Sequence, residues 1–219
     1  MHTLFNPENT FWNFMGKITD VACLSLLWLV TSLPIFTIGA STAAFYRFTL
    51  DAVQDNEGKI LHTYFGAFRS CFRKATVLWL LQLVLSVFLG INIFAAWQLY
   101  LAKGILGLGM LSLSASGLLI FLGTCIYLYP ITVSYDFGIK KTITDSFIMA
   151  VGNPHVTLSV LILFAIAGVL TYYLSGLFFF WLGLAVFFSS YFIWGLFLKY
   201  SGVKIEKKKK KKKLPDPNL

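Results

Sequence analysis

Charged side chains are missing from four long stretches of this 219-residue chain: Val21 to Tyr46, Ala75 to Ala102, Gly104 to Tyr135 and Ser146 to Leu198. A bilayer's hydrocarbon core needs only about 20 apolar residues of helix, so each stretch is long enough to cross one. One such run could be the buried core helix of a soluble protein, but four would leave most of their surface with nothing to cover it. The pattern therefore predicts an all-α fold, a polytopic transmembrane helix bundle. Dividing the last stretch at Ser175 and Gly176 gives five spans, at 21–46, 76–100, 106–130, 157–175 and 178–198. Residues 1–203 read as one transmembrane domain. Residues 204–219 read as a disordered polybasic tail, because Lys207 to Lys213 is an unbroken lysine run and like charges repel.

Composition agrees: 58% of residues are hydrophobic and 12% charged, against about 25% charged in a soluble domain. Residues Met1 to Lys17 lack the basic and apolar regions of a cleavable signal, so the first apolar segment is expected to stay in the protein. With five spans, Arg47, Lys59, Arg69, Arg73, Lys74, Lys140, Lys141 and the tail lysines share one side, and only Lys17 and Lys103 lie on the other. Lysine and arginine collect on the cytoplasmic side of membrane proteins. Loops 47–74 and 136–156 and the C-terminus are thus expected in the cytoplasm, at a bacterial plasma membrane.

Pro34 complicates the first span, because a proline inside a helix removes a backbone donor and kinks it. Segment 21–46 reads as one kinked span with the N-terminus outside. The alternative is a re-entrant hairpin turning near Pro34 with the N-terminus inside. The single span is preferred because irregular backbone facing lipid is penalised. Before it, Asn6-Pro7 has the form of a helix start, and Phe11, Trp12, Met15 and Ile18 recur at helical spacing. They form either an interfacial amphipathic helix or the lower end of the first span.

Within the spans, Gly39 with Ala43, and Ala40 with Ala44, fall four apart, a spacing that lets helices approach closely. Pro34 is the accompanying hinge, or a broken-helix site for a ligand as in discontinuous transporter helices. Asn92 is a candidate for a hydrogen bond between helices. Small residues (Gly107, Gly109, Ser112, Ser114, Ser116, Gly117) suggest that the third span lies at the centre of the bundle. The ring-rich fifth, from Phe178 to Phe197, reads as facing lipid or a second copy in a homo-oligomer. In loop 47–74, Tyr64, Phe65, Phe68 and Phe72 lie beside Arg69, Arg73 and Lys74, as in a helix whose rings enter the acyl boundary while its cations meet anionic inner-leaflet lipid. Lys140 and Lys141 begin a similar segment, and Asn153-Pro154 starts the next span. The two basic segments are the candidate docking face for lipid or a protein partner.

Chemistry is sparse. Pumps and ion-coupled carriers place ionisable groups at bilayer depth, and here Asp20, Arg47, Lys103, Asp136 and Lys199 all fall at span ends. His2, His62 and His155 lack the i, i+4 spacing of a metal-binding helix. Asp51, Asp55 and Glu57 read as a solvated loop, and Cys23, Cys71 and Cys125 as apolar filler. The expectation is a protein without catalytic residues, metal or cofactor, and not an enzyme. Seven lysines alone would bind nucleic acid only nonspecifically, so no nucleic-acid partner is expected.

The opening Leu4-Phe5-Asn6-Pro7-Glu8-Asn9, the stretch from Leu33-Pro34-Ile35-Phe36-Thr37-Ile38-Gly39 to Ala43, the loop ending Phe72-Arg73-Lys74-Ala75-Thr76, and Asn153-Pro154 together resemble the YesL-like family of bacterial integral membrane proteins of unassigned function. Members often accompany genes for carbohydrate uptake and breakdown. The resemblance implies an accessory role beside a sugar transporter or sensor complex. It carries over no catalytic residue. The alternative function is a small permease or channel for an uncharged solute, with Pro34 and Asn92 lining its path.

Overall fold

The structure is a computed structural model that describes residues 10–54, 58–174 and 178–213. The Asn6-Pro7 helix start, Asp55 and Glu57 of the acidic loop, the Ser175-Gly176 division and residues 214–219 lie outside the described residues. Helices are the regular structure of the described chain: α1 (Thr10–Thr31), a 3-10 turn (Ile35–Thr37), α2 (Ile38–Val53), α3 (Ile60–Lys103), α4 (Ile105–Ser134), α5 (Ile139–Gly152), α6 (Pro154–Tyr173) and α7 (Phe178–Lys213). Four of them, α3, α4, α6 and α7, are long and apolar enough to cross a membrane.

The fifth expected span is absent as a single crossing. Segment 21–46 is divided between α1 and α2, which turn back on each other. Near the turn, Trp28 Nε1 donates to Thr42 Oγ1 at 3.2 Å, and at the other end Lys17 Nζ donates to the Ala52 carbonyl at 3.0 Å. Contacts at both ends require an antiparallel pair, so the hairpin alternative replaces the kinked single span. The penalty on irregular backbone is met within the turn itself. Thr37 Oγ1 lies 2.6 Å from both the Thr31 and the Pro34 carbonyl, and Thr31 Oγ1 lies 2.6 Å from the Tyr64 hydroxyl of α3. Freed carbonyls are tolerable at membrane depth when neighbouring side chains satisfy them. With 16 residues, α2 is about 24 Å long, short of a hydrocarbon core of about 30 Å. Leu33, Ile35 and Phe36 are exposed at the tip of the turn.

The end of the bundle that holds Lys17 and Ala52 is its base. From there α3 runs outward and α4 returns, until Arg47 Nη1 meets the Val133 carbonyl at 3.2 Å. α5 folds back along the second half of α4, where a Cβ on Gly123 would lie 3.5 Å from Ala150 Cβ, α6 runs outward and α7 returns, bringing Tyr200 to Asn153 at 2.9 Å. The turn between α3 and α4 is the single residue Gly104 at φ +54, a left-handed conformation that glycine adopts without strain. α6 starts where Asn153-Pro154 predicts, with proline in the first helical turn. The Met15 and Ile18 segment is the lower end of α1, not a separate interfacial helix. α7 is helical to Lys213. Extending an existing helix needs no new nucleation.

The core gathers where α2, α7 and the second half of α4 meet. Tyr127, Ile131, Val160, Ile193 and Phe197 form one cluster, and Val21, Leu24, Phe45, Phe48, Tyr64 and Phe187 another. Two expectations reverse here. The first half of α4, rich in small residues, is largely exposed and its second half is central. The ring-rich α7 is the most buried of the four spans, with Phe187 at 0% exposure.

Candidate functional site

Interhelical hydroxyls assemble the interior. Tyr46 meets Ser189 at 3.3 Å, Thr49 meets Ser190 at 2.8 Å, Tyr127 meets Thr157 at 3.1 Å, and Tyr129 donates to Gln82 Oε1 at 3.0 Å. Such bonds contribute on average about 0.6 kcal/mol each inside a membrane. Their larger effect is on register, since each fixes one pair of helices. Sequence reasoning missed these pairs. The available signal was tyrosine in mid-span, because a buried phenol needs a partner.

Around these pairs the helices leave a pocket of about 360 Å³, walled by α1, α2, α4, α6 and α7. Its surface is almost all carbon, from side chains such as Phe45, Ile126, Phe164, Phe179 and Val186. The polar side chains at its wall are already engaged: Trp28 with Thr42, Tyr46 with Ser189, and Tyr129 with Gln82. Chemically, the pocket suits an apolar guest.

The sequence-predicted packing residues behave differently from one another. Gly39 and Ala43 are buried in α2. A Cβ at Gly39 would lie 2.5 Å from the Ala75 carbonyl oxygen and 2.6 Å from Trp79 Cβ, so α2 and α3 approach as closely as glycine permits. Pro34 sits in the hairpin turn, immediately before the 3-10 segment. Asn92 does not join helices: it is exposed and donates to the Phe88 carbonyl of its own helix at 2.8 Å.

The basic face also divides. Residues 60–74 are the first turns of α3, continuous with its span. Phe68 and Phe72 turn into the bundle, Phe68 stacked near Tyr64 at 6.4 Å and 5.4 Å from Phe72. Lys74 is half-buried, and its Nζ has no hydrogen-bond partner among the described residues. The outward row is Leu61, Phe65, Arg69 and Arg73, all exposed at four-residue spacing. Lys140 and Lys141 are exposed on α5, with Lys141 Nζ 3.8 Å from the centre of the Phe137 ring, a cation–π contact. The sequence pattern groups Phe65 with Tyr64, Phe68 and Phe72 as one of the rings of the basic segment, without separating the outward ring from the inward ones. Helical phase identifies it once the inward stripe through Tyr64, Phe68 and Ala75 is known.

Comparison with known proteins gives a consistent picture. Residues 21–93 match a family model described as "Protein of unknown function, DUF624". The Uncharacterized protein YesL of Bacillus subtilis (strain 168) is 24% identical over 159 residues, which cover 72% of this chain and 73% of that protein. The resemblance to the YesL-like family holds. No solved structure matches significantly. The stretch matched by the family model takes in the turn at Pro34, all of α2 and most of α3, so what is similar includes the hairpin and the helix it packs against. Among the described residues, no group of three or more His, Cys, Asp or Glu is placed to hold a metal ion.

Proposed function

We propose that this YesL-like membrane protein is a non-enzymatic accessory subunit of the bacterial plasma membrane, working through contacts with a sugar-uptake or sugar-sensing complex. The observation that carries this reading is the row Leu61, Phe65, Arg69 and Arg73, which projects exposed rings and guanidinium groups at the base. Neither arginine has an ion-pair partner among the described residues. Lys140 and Lys141 extend the same charged end.

The base is the cytoplasmic side in this proposal. With α1 and α2 paired as a hairpin, every lysine and arginine of the chain except Lys103 falls at the base end. That bias is stronger than five spans would give, and it favours a cytoplasmic base. The N- and C-terminal ends of the described chain both lie there. Carbohydrate association rests on the family resemblance, and the permease alternative draws no support from the positions of Pro34 and Asn92.

A photo-crosslinking residue at Phe65, with one at Phe72 as the inward-facing control, tests the proposal in native membranes. Cells growing on the sugar in question should yield a protein adduct from position 65, absent from position 72 and reduced by Arg69→Glu with Arg73→Glu. Adducts to lipid alone at position 65 would count against it. Flux of an uncharged sugar into liposomes holding only this protein would favour the permease.

A further inference from the structure

We infer that the pocket beside the tip of the first hairpin holds one hydrocarbon chain of a membrane phospholipid, drawn from the leaflet opposite the base. Three observations converge. The pocket's volume of about 360 Å³ is more than twice that of the roughly 150 Å³ apolar cavities that stay dry and take up apolar guests. Water is poorly served inside, since it needs two to four polar partners, and the Trp28 N–H and the Tyr46 and Tyr129 hydroxyls at the wall are already engaged by Thr42, Ser189 and Gln82. A helix of a partner protein, about 10 Å across with its side chains, is too bulky for this space, whereas a single chain is not.

The way in lies at hydrocarbon depth. Leu122, at the pocket's edge on α4, is 39% exposed. α2, with 16 residues, is shorter than α4, α6 and α7, and the exposed apolar residues of the turn, Leu33, Ile35 and Phe36, leave acyl chains of that leaflet a way towards the pocket. Tyr172 and Tyr173, at the outer end of α6, are exposed, as expected of rings at the headgroup boundary. The choice of a phospholipid over a free fatty acid follows from charge. No Lys, Arg or His lines the pocket, so a carboxylate carried inside would have no cationic partner. A phospholipid sends in its chain and leaves its headgroup in water.

The full chain, reconstituted in liposomes, would be irradiated with a phosphatidylglycerol bearing a diazirine in mid-chain, or with a diazirine palmitate, and the adducts mapped by mass spectrometry. Adducts from the phospholipid are expected at Leu122, Cys125 and Phe164, as well as at the lipid-bathed Ile91. Closing the mouth with Leu122→Trp, or filling the pocket with Val186→Phe, should lower the Cys125 and Phe164 adducts about tenfold and leave Ile91 unchanged. Wild-type labelling confined to outward residues such as Ile91 would overturn the inference, as would pocket labelling by the palmitate alone. Because the wild-type map decides the matter, a variant that fails to fold does not rescue it.

Discussion

Two of the chain's helical hairpins, α1 with α2 and α3 with α4, are built from similarly apolar sequence and treated in opposite ways by the fold. The first is short, turns through a polar knot around Thr37, and buries most of α2 against α3, α4 and α7. The second is long, turns on Gly104 alone, and leaves its outer half exposed, with Phe94 at 65% and Leu113 at 75%. Hydrophobicity does not separate them, because lipid is as apolar as a protein interior. What separates them is small residues and hydroxyls. Gly39, Ala40, Ala43 and Ala44 let α2 come close, and Tyr46 and Thr49 then find Ser189 and Ser190. On the outer part of α4, Ser112, Ser114 and Ser116 bond only to carbonyls of their own helix.

The sharpest way to break this comparison is topological. In a cysteine-free background, Gly16→Cys and Gln54→Cys should react with a membrane-impermeant maleimide from the same side, and Leu33→Cys from neither. Labelling of positions 16 and 54 from opposite sides would restore a single span and dissolve the first hairpin. Next in size is a ring deletion. Phe187→Ala, beneath the first hairpin, should lower stability by about 3–5 kcal/mol, and Phe94→Ala, on the second, by less than about 0.5 kcal/mol, both read by unfolding in mild detergent. Overpacking comes third: Gly39→Leu should cost about 1–3 kcal/mol or more, whereas Gly109→Leu, with open space around it, should be nearly neutral. The smallest contrast is in hydroxyls. Thr37→Val takes the hydroxyl from the Thr31 carbonyl while the Pro34 carbonyl keeps the Thr37 N–H, at about 1–3 kcal/mol, while Ser114→Ala should change stability by less than about 0.5 kcal/mol. Equal losses in the last pair would mean that the turn's polar knot does not hold the first hairpin.

Much of this was legible in the residues. Three of the charge-free runs hold the four helices long and apolar enough to cross a membrane, Asn153-Pro154 marks the start of α6, and Gly39 with Ala43 marks a close-packed face. The hairpin was legible only as an alternative, because local rules describe what Pro34 does to a helix and not whether Thr37 and Tyr64 will be present to satisfy the broken end. The docking row was half legible: Arg69 and Arg73 point outward, but Phe68 and Phe72 belong to the interior and Phe65 takes their place. Asn92 looked central by position in its span and proved to be on the wrong face. Depth in a span can be counted from sequence, whereas the direction a side chain faces depends on where neighbouring helices lie.

By itself, the order of residues determined that this chain enters a membrane and which of its ends carries the positive charge, since both follow from the cost of placing ions in hydrocarbon. Only the tertiary structure decided that the first apolar segment turns back, that α7 is core while the outer α4 is not, and that five helices leave a carbon-lined pocket between them. Those outcomes depend on which surfaces meet, and in a solvent as apolar as the side chains themselves, packing contacts and paired hydroxyls choose among arrangements that hydropathy cannot rank.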